Sequence, residues 1–417
     1  VTLIQCNICE LKPVEGVIMS SLETTILDLK FPNPFILASG PTTANAERVI
    51  NAFRAGWGGA VLETITLNLP ISIETKEHEI RSGRVKWGRI GALPISQLSL
   101  EEWCADIEKI QSNFPKRPLI ASITAEDSLT AWQELASRLS TSGIDGFEIN
   151  ANYPSFAVED ERMAELGQGS QVLARVIRWV REATPLPLFV KLSPNVTDIL
   201  PVARTALEAG ADAFTAIGGL RGIGSVDLTD FATLPPMNAH NMAGTYTGPG
   251  LKPVALRWTA VLAKSLEAPL LGSGGVSTWQ DAIEFFSVGA SAVQVGTAVD
   301  WYGIDIIDQF KQGLERYLED HMYSNPAEIR GKALPHIVGF DELDLEYKFV
   351  AILEESECIG CDLCARVCND GGFQAISMVD NIAKVDPSKC DGCGLCIYVC
   401  PPDIMSLVPV EMHNTIA

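Results

Sequence analysis

What this chain lacks narrows its function before any motif does. No run of 18 or more apolar residues occurs, so a membrane-spanning helix is not expected. The N-terminus has no basic stretch followed by an apolar core, so no secretory signal is expected, and a soluble, cytoplasmic chain is. Cations are scarce: 31 Lys and Arg stand against 52 Asp and Glu, a net charge of −21. Binding a phosphate backbone needs clustered Lys and Arg, which argues against nucleic acid as a partner. An acidic surface does suit docking to a basic patch on a redox protein, and it serves plain solubility equally well. No G-x-G-x-x-G follows the first strand candidate, so a dinucleotide is not expected to bind here.

The length of 417 residues exceeds one ordinary core, so a large domain and a smaller one are expected, and 47% hydrophobic residues mark both as globular. Val1 opens the chain, while Met19 stands just before the first patterned sequence. Residues 1–26 therefore read as an extension, with Met19 as an alternative start, and the lone pair Cys6 and Cys9 within it is a weak signal.

Eight of the eleven cysteines fall between residues 358 and 400. Cys358, Cys361, Cys364 and Cys368 follow C-x2-C-x2-C-x3-C, and Cys390, Cys393, Cys396 and Cys400 repeat it, with Pro401 after the last. This is the bacterial ferredoxin pattern for two [4Fe–4S] clusters, in which the fourth cysteine of each run serves the other cluster. On that rule Cys358, Cys361, Cys364 and Cys400 hold one cluster, and Cys368, Cys390, Cys393 and Cys396 the other. Paired zinc sites and disulfides are the alternatives, and neither suits spacings this tight in a cytoplasmic chain. Asn369 stands where proline usually follows the fourth cysteine, so the local turn there must differ. Cys104 reads as an ordinary half-buried thiol.

Ahead of the cysteines, eight short apolar runs alternate with amphipathic stretches: FILAS (35–39), AVLETI (60–65), LIASI (119–123), GFEIN (146–150), LFVKLS (188–193), AFTAI (213–217), LLGSG (270–274) and SAVQVG (291–296). Continuous apolar strands each followed by a helix predict a (β/α)8 barrel of the TIM type, with a doubly wound sheet as the runner-up. Function in such barrels sits at the C-terminal strand ends. Those ends hold Ser39 and Gly40, Glu63 and Thr64, Asn150, Lys191, Ser273 with Gly274 and Gly275, and Gly296 with Thr297. The glycines after the seventh and eighth strands suit a phosphate, although turn residues would look the same. Lys191, in an apolar strand, requires an anionic or polar partner: a flavin edge, a salt bridge to Glu63, or both.

The segments NPFILASG, FRAGWGGA, FVKLSPNVTDI, KPVALR, GSGGVSTWQDAIEFFSVGASAVQVGTAV and CIGCDLCARVCNDGGFQAI together resemble the FMN and iron–sulfur part of the dihydropyrimidine dehydrogenase family. The likeness is nearest to the catalytic subunit of the bacterial NAD-dependent form and more distant to dihydroorotate dehydrogenase. It covers residues 27–407 and implies an FMN barrel over 27–320, a linker over 321–350 and a double-cluster ferredoxin domain over 351–417. It further implies a partner subunit carrying FAD and NAD, or another electron donor, in a homo- or hetero-oligomer. Electrons would pass from it through the clusters to FMN, which reduces a ring C=C bond. By the same resemblance Ser39, Gly40, Lys191, Thr247, Gly248, Gly274, Gly275, Gly296 and Thr297 are FMN contacts, with Glu63, Thr64 and Ser273 beside them, and Asn150 and Asn152 face the substrate.

Three departures touch the substrate end. Tyr153 stands where the family's N-L-S-C-P loop has its catalytic cysteine, Glu63 replaces a lysine of T-K-T, and Ile217-Gly218-Gly219 replaces T-N-T. A tyrosine hydroxyl, with a reference pKa of ~10 against ~8.5 for cysteine, can donate a proton but ionises less readily. Tyr153 is thus expected either as the proton donor in reduction or as an aromatic lid. Three activities stay open: a pyrimidine reductase, a reductase of another conjugated substrate, and an electron-transfer subunit without substrate chemistry of its own.

Overall fold

A computed structural model describes residues 20–67, 77–91, 95–152, 166–234, 244–343 and 347–411. It divides into two compact units, Val1–His336 and Ile337–Ala417. In the first, eight parallel strands close into a barrel: Phe35–Leu37, Gly59–Val61, Leu119–Ile123, Gly146–Asn150, Leu188–Lys191, Ala213–Ala216, Leu270–Ser273 and Ala292–Val295. All eight lie within the eight apolar runs or one residue before them. The doubly wound alternative is excluded, because the sheet has no free edge: the last strand pairs with the first, Val293 opposite Phe35.

Helices alternate with the strands because their caps and apolar stripes agree. Ser99 and Glu102 form a capping box ahead of Leu100–Asn113, and Thr278 and Asp281 do the same ahead of Trp279–Ser287. Glycines in the left-handed conformation stop Ala46–Ala55 at Gly56 and Leu200–Ala209 at Gly210.

The barrel interior is layered. At its N-terminal end Ile36, Val61, Ile120, Phe189, Ala213, Leu271 and Ala292 form one apolar cluster, completed by Ile26 and Phe31. The last two come from an antiparallel hairpin, Thr24–Ile26 with Leu29–Phe31, that plugs the bottom. Gly59 leaves room for the plug, since a Cβ there would stand 2.7 Å from the Phe31 ring. Two residues further along the strands, the inward positions turn polar: Ser122, Glu148, Lys191, Thr215, Ser273 and Gln294 are all buried.

An antiparallel sheet absent from the sequence reading extends the barrel unit. It orders Leu220–Gly222, Gly244–Thr247, Val85–Gly91 and Glu77–Ser82, built from insertions after the second and sixth barrel strands.

In the second unit, Tyr347–Leu353 pairs antiparallel with Met405–Glu411, and a tight hairpin joins Ile376–Val379 to Ile382–Val385. Helix Leu363–Asp370 carries Cys364 and Cys368, and the shorter Leu395–Tyr398 carries Cys396. The expected difference at Asn369 is visible: the first helix runs through Cys368 to Asp370, whereas the second ends before Cys400. Pro401 and Pro402 cannot supply helical N–H groups and disfavour helix in the residues before them.

Candidate active site and cluster sites

A cavity opens at the C-terminal mouth of the barrel, and residues from most of the strand ends line it. They include Ser39, Gly40, Thr64, Asn150, Asn152, Lys191, Ser273, Gly274, Gly275, Gly296 and Thr297, with Thr247 and Gly248 from the antiparallel sheet. Tyr153 lies outside the described residues. Glu63 alone among the remaining expected site residues does not line the cavity.

The reason is a bulge. Val61 pairs with Ile120 but Ile65 bridges Ile123, so the second strand spends four residues against three. The extra residue breaks the alternation, and Thr64 rather than Glu63 takes the inward position. Burial pushes the Glu63 carboxyl up to about 7, a rise that Arg48 partly opposes. Thr64 joins a chain of hydroxyls and amide: Asn150 Nδ2 donates to Thr64 Oγ1 at 3.0 Å, and Thr64 Oγ1 lies 3.0 Å from Ser122 Oγ.

Lys191 finds its partner across the register, not at Glu63. Its Nζ is 2.8 Å from Glu148 Oε1, and Glu148 is fully buried. Thr215 Oγ1 and Gln294 Nε2 each donate to Glu148 Oε2 at 2.6 Å. The carboxylate is therefore enclosed by three donors, and the lysine end also lines the cavity. Glu148, Thr215 and Gln294 were missed in the sequence. Their one signal was a polar residue at an inward position of an otherwise apolar strand.

Among the described residues, Asn150 Oδ1 and Gln294 Oε1 are buried without a hydrogen-bond partner, while Glu148 Oε1 has only its ion pair with Lys191. Both amides are oriented, because their nitrogens are engaged, so their oxygens call for N–H donors from a bound molecule. Across the cavity the main chain is cleared for an anion. Gly274 and Gly275 take φ of +107° and +90°, and a Cβ on Gly275 would stand 2.6 Å from the Lys252 nitrogen. Thr297 Oγ1 and Thr247 Oγ1 meet at 3.0 Å, joining the eighth strand's end to the antiparallel sheet. Arg89 of that sheet binds Glu77 at 2.7 Å and also Asp300, and Lys86 Nζ sits 5.1 Å from the centre of the Trp301 ring. Burial raises the Glu77 and Asp300 carboxyls, with Arg89 pulling both back down. A flavin nucleotide fits this donor set: oriented acceptors for its ring N–H, an ammonium for its anionic edge, and glycine backbone for its phosphate.

In the second unit the eight thiols sort four by four. Cys358, Cys361, Cys364 and Cys400 line one small cavity; Cys368, Cys390, Cys393 and Cys396 line another. Each set contains the fourth cysteine of the other run. Among the described residues no group of three or more His, Cys, Asp or Glu is arranged around a single metal ion. Four thiols around an open space suit a cubane rather than one zinc. Backbone N–H groups of Ala351 and Ala375 donate to Cys390 Sγ and Cys368 Sγ, each at 3.3 Å. Cys104 is half-buried and belongs to neither set.

Residues 21–318 match the dihydroorotate dehydrogenase model, and residues 351–407 match the 4Fe-4S dicluster domain. The chain belongs to the dihydroorotate dehydrogenase family. It is 32% identical over 359 residues to the NAD-dependent dihydropyrimidine dehydrogenase subunit PreA of Escherichia coli (strain K12), covering 85% of this chain and 87% of that one. It is 30% identical to the chloroplastic dihydropyrimidine dehydrogenase (NADP(+)) of Arabidopsis thaliana, over 77% and 79% of the two. Against the catalytic subunit of dihydroorotate dehydrogenase B (NAD(+)) of Pyrococcus abyssi (strain GE5 / Orsay), identity is 36% over 75% and 99%. As a family member with this tail, the chain is an oxidoreductase of CH–CH bonds that uses FMN and two [4Fe–4S] clusters. No helix among the described residues is long and apolar enough to cross a membrane.

Proposed function

We propose that this chain reduces the 5,6 double bond of uracil or thymine, with electrons that enter through its two clusters from a reductase subunit carrying FAD and NAD. The observation that carries the reading is one chain holding both the oriented cavity around Lys191, Glu148, Asn150 and Gln294 and two four-thiol sites. Relatives named as dihydropyrimidine dehydrogenases align over most of its length and support it.

The cavity residues would hold FMN, whose chemistry when bound would be delivery of a hydride to one ring carbon. The chain's own residues do the rest. The glycines at 274 and 275 and at 296 would hold its phosphate, and Lys191 would offer an ammonium to the anionic edge of its ring. Gln294 and Asn150 fix orientation through their unpaired carbonyl oxygens. Tyr153 donates the proton to the second carbon; its reference pKa of ~10 keeps it protonated at the start of each reduction. Two electrons and two protons thus convert the C=C bond to CH–CH. Replacing Tyr153 by Phe should lower turnover by about 10²-fold or more while leaving flavin binding intact; unchanged turnover would assign the ring a lid role instead.

A second reading has one observation in its favour: Gly218 and Gly219, which line the cavity, offer no side chain to a pyrimidine. Anaerobic reduction followed by mixing with uracil, thymine, orotate and unrelated enones separates the two. Reoxidation of the flavin by uracil or thymine supports the pyrimidine reading, and reoxidation by an enone alone supports the other.

A further inference from the structure

The loop after the sixth barrel strand is held by side chains from two other strand ends. Asn152 Oδ1 accepts the Gly219 N–H at 2.6 Å, and Asn152 Nδ2 donates to the Gly219 carbonyl at 3.2 Å and to Ser193 Oγ at 3.4 Å. Asn195 Nδ2 donates to the same carbonyl at 3.2 Å, and its Oδ1 accepts the Arg221 N–H at 2.9 Å. Asn152 is buried, and both ends of its amide bond the Gly219 main chain. An amide used in this way is a poor reader of substrate, because each substrate bond would cost a loop bond.

Gly218 makes the arrangement reciprocal. A Cβ there would stand 2.2 Å from Asn152 Oδ1, 2.5 Å from its Cγ and 2.7 Å from its Cβ. No positive φ occurs at Gly218, so the glycine is required for space and not for conformation. Residues 152 and 218 therefore compete for one volume in the cavity wall, and in this chain the side chain comes from 152.

We infer that Asn152 and Gly218 are a specificity-setting pair. Asn152 is a positioning residue that clamps the strand-six loop, so this wall meets the substrate through the Gly218–Gly219 main chain rather than through a polar side chain. The wall then suits a flat, conjugated ring whose contact with it is made by shape, the hydrogen bonds coming from elsewhere, among them Asn150 Oδ1. The inference deepens the proposed reduction and rests on it only for the identity of the ring.

The test uses the full chain loaded with flavin and clusters, in four forms: wild type, N152A, G218A and the double variant N152G/G218A. Without any substrate, the thermal midpoint and the visible circular dichroism of the flavin are measured first. A clamp predicts that N152A shifts both. It also predicts that G218A is the most disturbed and that the double variant recovers most of the G218A loss. Binding of uracil, read as a perturbation of the flavin absorbance, should weaken about tenfold in N152A, with a smaller change in turnover at saturation. If N152A is silent without substrate but abolishes uracil binding, Asn152 is a substrate ligand and the clamp is wrong. Additive effects of the two positions would likewise overturn the shared volume. Should G218A fail to fold, N152A and the double variant still decide. If uracil perturbs no form, wild type included, the pyrimidine reading fails while the substrate-free comparison still judges the clamp.

Discussion

At the scale of single residues, the site is organised around a fully buried carboxylate. Glu148 receives Lys191, Thr215 and Gln294, and so sets both the ammonium and one of the two oriented carbonyl groups. Replacing Glu148 by Gln should destabilise the protein by about 3–5 kcal/mol, because a buried lysine is left without its counter-charge. In whatever fraction folds, the flavin potential should rise, since the uncompensated ammonium favours the anionic reduced ring. A potentiometric titration of the flavin absorbance reads this directly. Glu63 behaves oppositely. Its carboxyl is pushed up to about 7 by burial, so the folded protein keeps a proton that the unfolded chain releases near 4.5. Its contribution to stability is therefore present below about pH 4.5 and lost as pH rises through about 7. The thermal midpoint should fall between those limits in wild type and fall less in Glu63→Gln, with the flavin spectrum unchanged. Glu63 looked like a cavity residue in the sequence because it stands at the C-terminal end of the second apolar run and at the position of the family's T-K-T lysine. The bulge that moves it exists only through pairing with the third strand, which no local pattern contains. Glu148 and Gln294 were hidden for a related reason: they lie 146 positions apart and meet only once the barrel closes.

At the scale of elements, the eight barrel strands were legible because each is buried on both faces, and continuous apolar runs leave few other homes in a chain of this kind. The antiparallel sheet was not. Its strands EHEIRS and VKWGRIG mix charge, glycine and aromatic residues, and they gain their order from partners far away, Thr245 opposite Gly91 for one. The sheet is fastened to the helix after the eighth strand, Thr297–Tyr302, by Arg89 with Asp300 and by Lys86 over Trp301. Cutting the first fastening with Asp300→Asn should speed loss of the flavin severalfold, measured as the rate of fluorescence recovery on dilution, while the chain stays folded. The doubled cysteine motif was the most legible element of all. The crossed sets of four thiols around its two cavities predict a pattern of losses: Cys400→Ala should abolish the same cluster as Cys358→Ala, and Cys368→Ala the same one as Cys390→Ala. Each single change should halve iron and acid-labile sulfide, and paired electron paramagnetic resonance spectra should match within a set and differ between sets.

At the scale of the whole molecule, two compact units divide the labour, one holding thiols and the other a flavin cavity. On the proposed function electrons enter from a partner subunit, and the chain's net charge of −21 suits a partner with a basic docking face. The rate constant for reduction by that partner should drop by an order of magnitude or so as ionic strength rises from ~0.05 to ~0.5 M, because the Debye length that screens steering shrinks from roughly 14 to roughly 4 Å over that range. A rate indifferent to salt would remove charge from the docking argument.

The central claim is that the clusters and the flavin of one chain serve one reduction. It is tested most directly by counting product in a single discharge. The anaerobically and fully reduced protein stores two electrons on FMN and one on each cluster. Mixed with excess uracil and no donor, it should yield about two molecules of dihydrouracil per chain if the clusters feed the flavin. One molecule per chain would mean that the clusters are cut off from the reaction, and none would mean that uracil is not the ring this cavity reduces.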